Sequence, residues 1–280
     1  ETPATDLLTP ETQRVIDQGL AWLAARQHDD GSFGSGRYRH NVAVTSISAM
    51  AFLAAGHTPG RGRYSGQVER AIDAILDAAQ PNGFIIREQH RSHGPMYGHG
   101  FATLLLAEVY GMDARPGSRR RVRDALKRAI ELIVRSQNKE GGWRYQPQPV
   151  RIADLSVTVC QIMALRAARN CGIAVPKRCA DRCIEYVKRC QNPDGGFRYT
   201  MARREGMFGV SAAGLVALAS AGVYEGKEIE RGQTYLMRFL PTRGVFRTPA
   251  HYFYGHYYAV QAMWHARGRL FERWYPAIRN

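Results

Sequence analysis

Apolar positions along this chain fall into two helical textures. Ahead of Gln137 they keep to one face, as Val122, Leu126, Ile130 and Ile133. Ahead of Gln191 they do the same, as Cys183, Val187 and Cys190. The second texture is a helix with almost no charge on any side, predicted at about 41–55, 98–110, 154–169, 209–221 and 254–266. Between the two textures lies a recurring turn. It reads Gln27-His-Asp-Asp-Gly-Ser-Phe33, Gln80-Pro-Asn-Gly-Phe84, Gln137-Asn-Lys-Glu-Gly-Gly-Trp143, Gln191-Asn-Pro-Asp-Gly-Gly-Phe197 and Pro241-Thr-Arg-Gly-Val-Phe246. A glycine–aromatic signal with a period of about fifty residues marks a repeat protein.

The repeat is one amphipathic helix, a glycine turn and one apolar helix. Thr9-Pro10 and Pro176 read as helix starts, and Gly56, Gly111, Gly172, Gly222 and Gly268 as helix stops. An all-apolar helix must be covered on every side, whereas its amphipathic partner can face water. Five such hairpins in series predict a single all-α domain, an α/α toroid with apolar helices inside and amphipathic ones outside. The repeats run at about 10–56, 67–111, 120–172, 176–222 and 226–268. Leu270, Phe271, Trp274, Tyr275 and Ile278 begin a partial sixth at 269–280, so a protein partner could complete the ring.

Composition narrows the class. The 280 residues carry 39 basic and 24 acidic groups, a formal net charge of +15, so an acidic disordered chain is excluded. No apolar run is long enough to span a bilayer, although contact with a membrane surface stays compatible with the charge. No RNA- or DNA-binding motif is present, and no nucleic-acid partner is expected. The chain opens at Glu1 with no apolar leader segment, which leans the expectation toward an exported, periplasmic mature chain, with the cytoplasm as the alternative. Of the five cysteines, Cys160, Cys183 and Cys190 read as core. Cys171 and Cys179 flank one loop and could be bridged in an oxidising compartment.

In a toroid, the loops leading into the inner helices emerge at one rim. Those loops bring Arg37, Arg87, Arg144, Arg198 and Arg247 beside helix N-termini, with His40, His90, His93, His99, His251 and His256 among them. Repeated arginines at converging helix N-termini suit a phosphate-like anion. Inner-helix aromatics, Phe101 and Tyr257 together with Phe52, Phe208, Tyr258 and Trp264, would line a central cavity with Met163 and Met207. Tyr97-Gly98-His99 and Tyr254-Gly255-His256 are twin motifs opening two inner helices. With Asp154, His99 and His256 could converge as a catalytic centre or as ligands of a divalent metal such as zinc, supported by Tyr97 and Tyr254.

The glycine–aromatic turns resemble those of the prenyltransferase and squalene-oxidase repeat family, which includes terpene cyclases and the β subunits of protein prenyltransferases. His99-Gly-Phe-Ala-Thr103 is similar to the His-Gly-x-x-Thr of prenyltransferase β subunits, where the histidine helps hold the prenyl diphosphate. Asp154-Leu-Ser-Val-Thr158 resembles the Asp-x-Asp-Asp-Thr of class II cyclases, but Ser156 stands at the proton donor. A serine hydroxyl is too weak an acid to protonate an alkene, so squalene cyclisation by that route is not expected. The zinc-binding Asp-x-Cys of prenyltransferases also finds Ser156 in place of its thiolate. The resemblance implies an isoprenoid, or another apolar molecule with an anionic head, held in the central cavity and transformed if the chain is an enzyme. The alternative is a catalytically silent toroid used for binding or assembly.

Overall fold

The computed structural model describes residues 7–87, 94–241 and 250–279. Its helices are α1 (Pro10–Ala24), α2 (Val42–Ala54), α3 (Ser65–Asp77), α4 (Pro95–Val109), α5 (Ser118–Ser136), α6 (Leu155–Asn170), α7 (Lys177–Arg189), α8 (Phe208–Ala221), α9 (Lys227–Leu236), α10 (Tyr252–Ala266) and α11 (Gly268–Arg279). There are no strands among the described residues. Even-numbered helices form an inner row, in which α2 packs on α4, α4 on α6, α6 on α8 and α8 on α10. Odd-numbered helices lie outside them. The predicted textures sort as expected, since every residue of α4 except Tyr97 and Glu108 is buried.

The repeated turn holds the two layers together. Gln137 Nε2 donates to the Gly141 carbonyl (2.8 Å) and to the Cys179 carbonyl on the next outer helix (2.9 Å). Gln27 does the same with Gly31 and Gln67, and Gln191 with Gly195 and Glu228. The glycine after each glutamine, Gly31, Gly83, Gly141 or Gly195, has positive φ and lies against the carbonyl of an arginine on the next outer helix: Arg70, Arg128, Arg182 or Arg231. A side chain there would collide with that carbonyl, so close approach as well as φ requires glycine. The aromatic residue then drops into the core, and Trp143 donates its indole N–H to the Ile133 carbonyl at 2.7 Å.

The row is not uniform at its ends. Val15, Ile16 and Trp22 of α1 are exposed, as are Ile47 of α2 and Phe253, Tyr257 and Trp264 of α10. The outer layer reaches round further, because the Tyr275 hydroxyl of α11 donates to the Leu7 carbonyl at 2.6 Å. On the inside, Tyr257 of α10 meets Phe101 of α4 edge-on at 6.3 Å, and the Tyr258 hydroxyl lies 3.5 Å from Cys160 Sγ of α6. These aromatics of the expected lining thus contact one another and Cys160 across the inner row. Phe52 and Phe208 turn outward instead, against Tyr64 and Phe239, and Trp264 faces Phe271. Cys171 and Cys179 are both free thiols, so the bridge considered between them is absent.

Candidate functional site

The first turns of the inner helices share a register. In α2, α6 and α8 the residue four positions past the cap supplies an acceptor to the turn ahead of it. Thr45 Oγ1 receives the Phe33 N–H (2.9 Å), Thr158 Oγ1 the Trp143 N–H (3.1 Å) and Ser211 Oγ the Phe197 N–H (2.8 Å). His99 plays this part in α4, five positions past the Gly94 cap, and its Nδ1 accepts the Ile85 N–H at 3.2 Å. Its ring is wholly buried edge-on to Phe84, and Nε2 faces the Ala129 backbone of outer helix α5, out of hydrogen-bond geometry. Burial lowers its pKa to about 4. His256 likewise lies five past the His251 cap of α10, among Phe208, Tyr252 and Trp274, its pKa also lowered by burial.

The expected convergence of His99, Asp154 and His256 therefore does not form. The His99 and His256 rings turn toward outer helices α5 and α11, whereas Asp154 is engaged as the cap of α6. Among the described residues no group of three or more His, Cys, Asp or Glu side chains could hold a metal ion.

Asp154 is different. Its Oδ1 caps α6, accepting the Ser156 and Val157 N–H groups (2.8 and 3.3 Å) and the Ser156 hydroxyl (2.6 Å). Asn41 caps α2 in the same way with a neutral amide. A carboxylate is thus more than the cap needs, yet Asp154 is fully buried. Its Oδ2 faces the Tyr199 hydroxyl but meets no donor in hydrogen-bond geometry.

Tyrosines from four repeats surround this charge. Tyr97 of α4 donates to Ser156 Oγ at 2.5 Å, the proton of Ser156 being committed to Asp154. The Tyr145 and Tyr199 hydroxyls bond to each other, and the rings of Tyr97 and Tyr145 lie 6.2 Å apart. Tyr254 of α10 buries its hydroxyl near Ser156, out of bonding geometry. Burial first, and Asp154 with it, raises the pKa of Tyr97, Tyr199 and Tyr254, so all three stay protonated. The Cys160 thiol is likewise pushed up, to about 12. The result is one buried carboxylate beneath half-buried tyrosine rings, a setting able to face positive charge.

The arginine rim resolves differently from expectation. In Arg144-Tyr145 and Arg198-Tyr199 the tyrosine turns inward, and the arginine turns back to its own loop. Arg198 donates to the carbonyls of Arg189, Cys190 and Met201. Arg87 is held by Asp30 at 2.5 Å. Arg144 lies over the Tyr145 ring and Arg37, exposed, over that of Tyr38. In Arg198-Tyr199, consecutive residues of a bridge-forming extended segment, the side chains point to opposite sides. Tyr145 and Tyr199 are the residues the sequence reading passed over, and their recurrence after the turn aromatic was the available signal. His251 is exposed at the start of α10 with φ 59°. Arg247, His90 and His93 lie outside the described residues.

Comparison with known proteins places the fold. Residues 3–244 match the model of the prenyltransferase alpha-alpha toroid domain. The chain belongs to that family. It is 25% identical over 191 residues to a drimenyl diphosphate synthase of Streptomyces showdoensis, an alignment covering 68% of this chain and 33% of that protein. A drimenyl diphosphate synthase of Streptantibioticus cattleyicolor is 27% identical over 177 residues, covering 63% of this chain and 31% of its own. The chain thus spans about a third of the length of these relatives. The fold is similar to that of the type II terpene cyclase MstE from Scytonema in its apo form. The TM-score is 0.55 at 18% identity, over 84% of this chain and 66% of the other.

Proposed function

We propose that this toroid handles an isoprenoid with an anionic head, its apolar chain lying over the tyrosine-lined mouth above Asp154. The observation that carries the reading is the buried carboxylate itself. Removing a charge from water without a full set of partners costs several kcal/mol, and the neutral Asn41 cap makes that cost unnecessary for folding. Oδ2 remains free to answer positive charge developing on a bound chain or to accept a proton from it. The rings of Tyr97, Tyr145, Tyr199 and Tyr254 add electron-rich faces. Likeness to drimenyl diphosphate synthases supports an isoprenoid diphosphate as the substrate class. Arg37, exposed and with no carboxylate partner among the described residues, is a rim cation left for the head.

The silent toroid is the second reading, favoured by the contacts of Tyr257 with Phe101 and of Tyr258 with Cys160 across α4, α6 and α10. Calorimetry with farnesyl diphosphate, with mass spectrometry of any product, separates the two. The first reading expects binding, and loss of product in Asp154→Asn at unchanged melting temperature. No binding at low salt leaves the silent toroid.

A further inference from the structure

At the end of the ring away from the tyrosine mouth, a cleft of about 840 Å³ opens between α5 and the loop after α6. That volume falls within the range of small-molecule sites, about 300–1,000 Å³. Arg119, Arg120, Arg123 and Lys127 line one side, with Tyr110 beside them and Cys171, Gly172 and Ile173 opposite. No carboxylate is among the lining residues.

The cations of α5 divide by face. Arg121 looks toward α3 and pairs with Asp73 and Asp77. Arg119, Arg123 and Lys127 follow one another at four-residue spacing, about 6 Å per step along the axis, and none has an ion pair among the described residues. Asp124, the one acid in this run, is not part of the lining. Glu131 follows one turn beyond Lys127, outside the lining, and Glu108 of α4 acts by its charge on the Cys171 thiol. Like charges four residues apart destabilise a helix, as do cations at its N-terminal end. Arg119, Arg123 and Lys127 thus repel one another near the start of α5, and an anion in the cleft would relieve that repulsion.

We propose that this cleft binds a phosphate-bearing anion, either a soluble phosphate or diphosphate or the headgroup of an anionic phospholipid. Both sources offer the several oxygens that a cluster of guanidinium and ammonium groups recognises. The exposed Met112 next to Tyr110 would suit a bilayer surface. The site is separate from Asp154 and stands whether or not the isoprenoid reading does.

Cys171 supplies the test, because it is the only one of the five cysteines that is not buried. Burial, with Glu108 adding to it against the Ile173 backbone, raises its pKa, so alkylation by N-ethylmaleimide should be slow and sensitive to what fills the cleft. One arm adds inorganic diphosphate at low salt. The other adds phosphatidylglycerol vesicles, with phosphatidylcholine vesicles as control. Either ligand should slow alkylation about tenfold, and the double variant Arg123→Gln/Lys127→Gln should need about tenfold more of it. Protection by diphosphate identifies a soluble ligand. Protection by phosphatidylglycerol vesicles alone identifies a headgroup. Absence of protection in both arms, or protection unchanged in a double variant that melts like the parent, overturns the proposal.

Discussion

Ile85 donates its amide proton to Nδ1 of His99 at 3.2 Å, doing with a histidine what Trp143 does with Thr158 and Phe197 with Ser211. The imidazole must stay unprotonated at Nδ1 to accept, and its pKa of about 4 sits below the ordinary 6.5 because of burial. Above pH 6.5 the ring is neutral in both folded and unfolded chains. Between pH 6.5 and 4 the unfolded chain takes up a proton that the folded chain refuses, so stability falls as pH falls through that window. His99→Gln keeps an acceptor and removes the titration. In urea denaturation, wild type should lose about 2 kcal/mol more than His99→Gln between pH 7.5 and 4.5.

Glycine at a repeat turn and glycine at a helix stop should respond differently to alanine. Gly141 has φ +103°, and a Cβ there would strike the Arg182 carbonyl. Gly172 has φ +85° with open space around it. Gly172→Ala should lose about 1 kcal/mol from backbone strain alone, and Gly141→Ala about 3 kcal/mol or more. Thermal melts of the two variants make the comparison.

Gln137 serves two carbonyls, so its removal leaves the Gly141 and Cys179 oxygens buried without their donor. Gln137→Ala should destabilise by roughly 2–3 kcal/mol. Gln137→Glu should be no better, since a carboxylate cannot donate to a carbonyl. Denaturant midpoints at pH 7.5 test both.

Asp154→Asn should fold as well as the parent or better. The amide oxygen can cap α6 as Asn41 caps α2, and a buried charge disappears. A melting temperature equal to or above wild type is the expected result. A fall of several degrees would mean that the carboxylate is needed for folding.

The hydrophobic pattern of the chain by itself determined the repeat, the two kinds of helix, their order and the glycine turns, because each is a local matter of period, capping and backbone freedom. Thr9 caps α1 as read, and Gly56, Gly111, Gly172 and Gly222 adopt positive φ at helix ends. The family resemblance followed from the same turns. Only the tertiary structure decided which way the inner helices face. A helix such as α4, apolar on every side, has no polar face to orient it, so nothing local tells whether His99 looks to the axis or to α5. Likewise, Arg144-Tyr145 and Arg198-Tyr199 do not announce which partner turns inward, since that depends on a carboxylate one helix away and on carbonyls in the preceding turn. Asp154 was visible as a cap and as a motif position. Its burial and its spare oxygen arise from packing among four repeats distant in sequence, which no periodicity encodes.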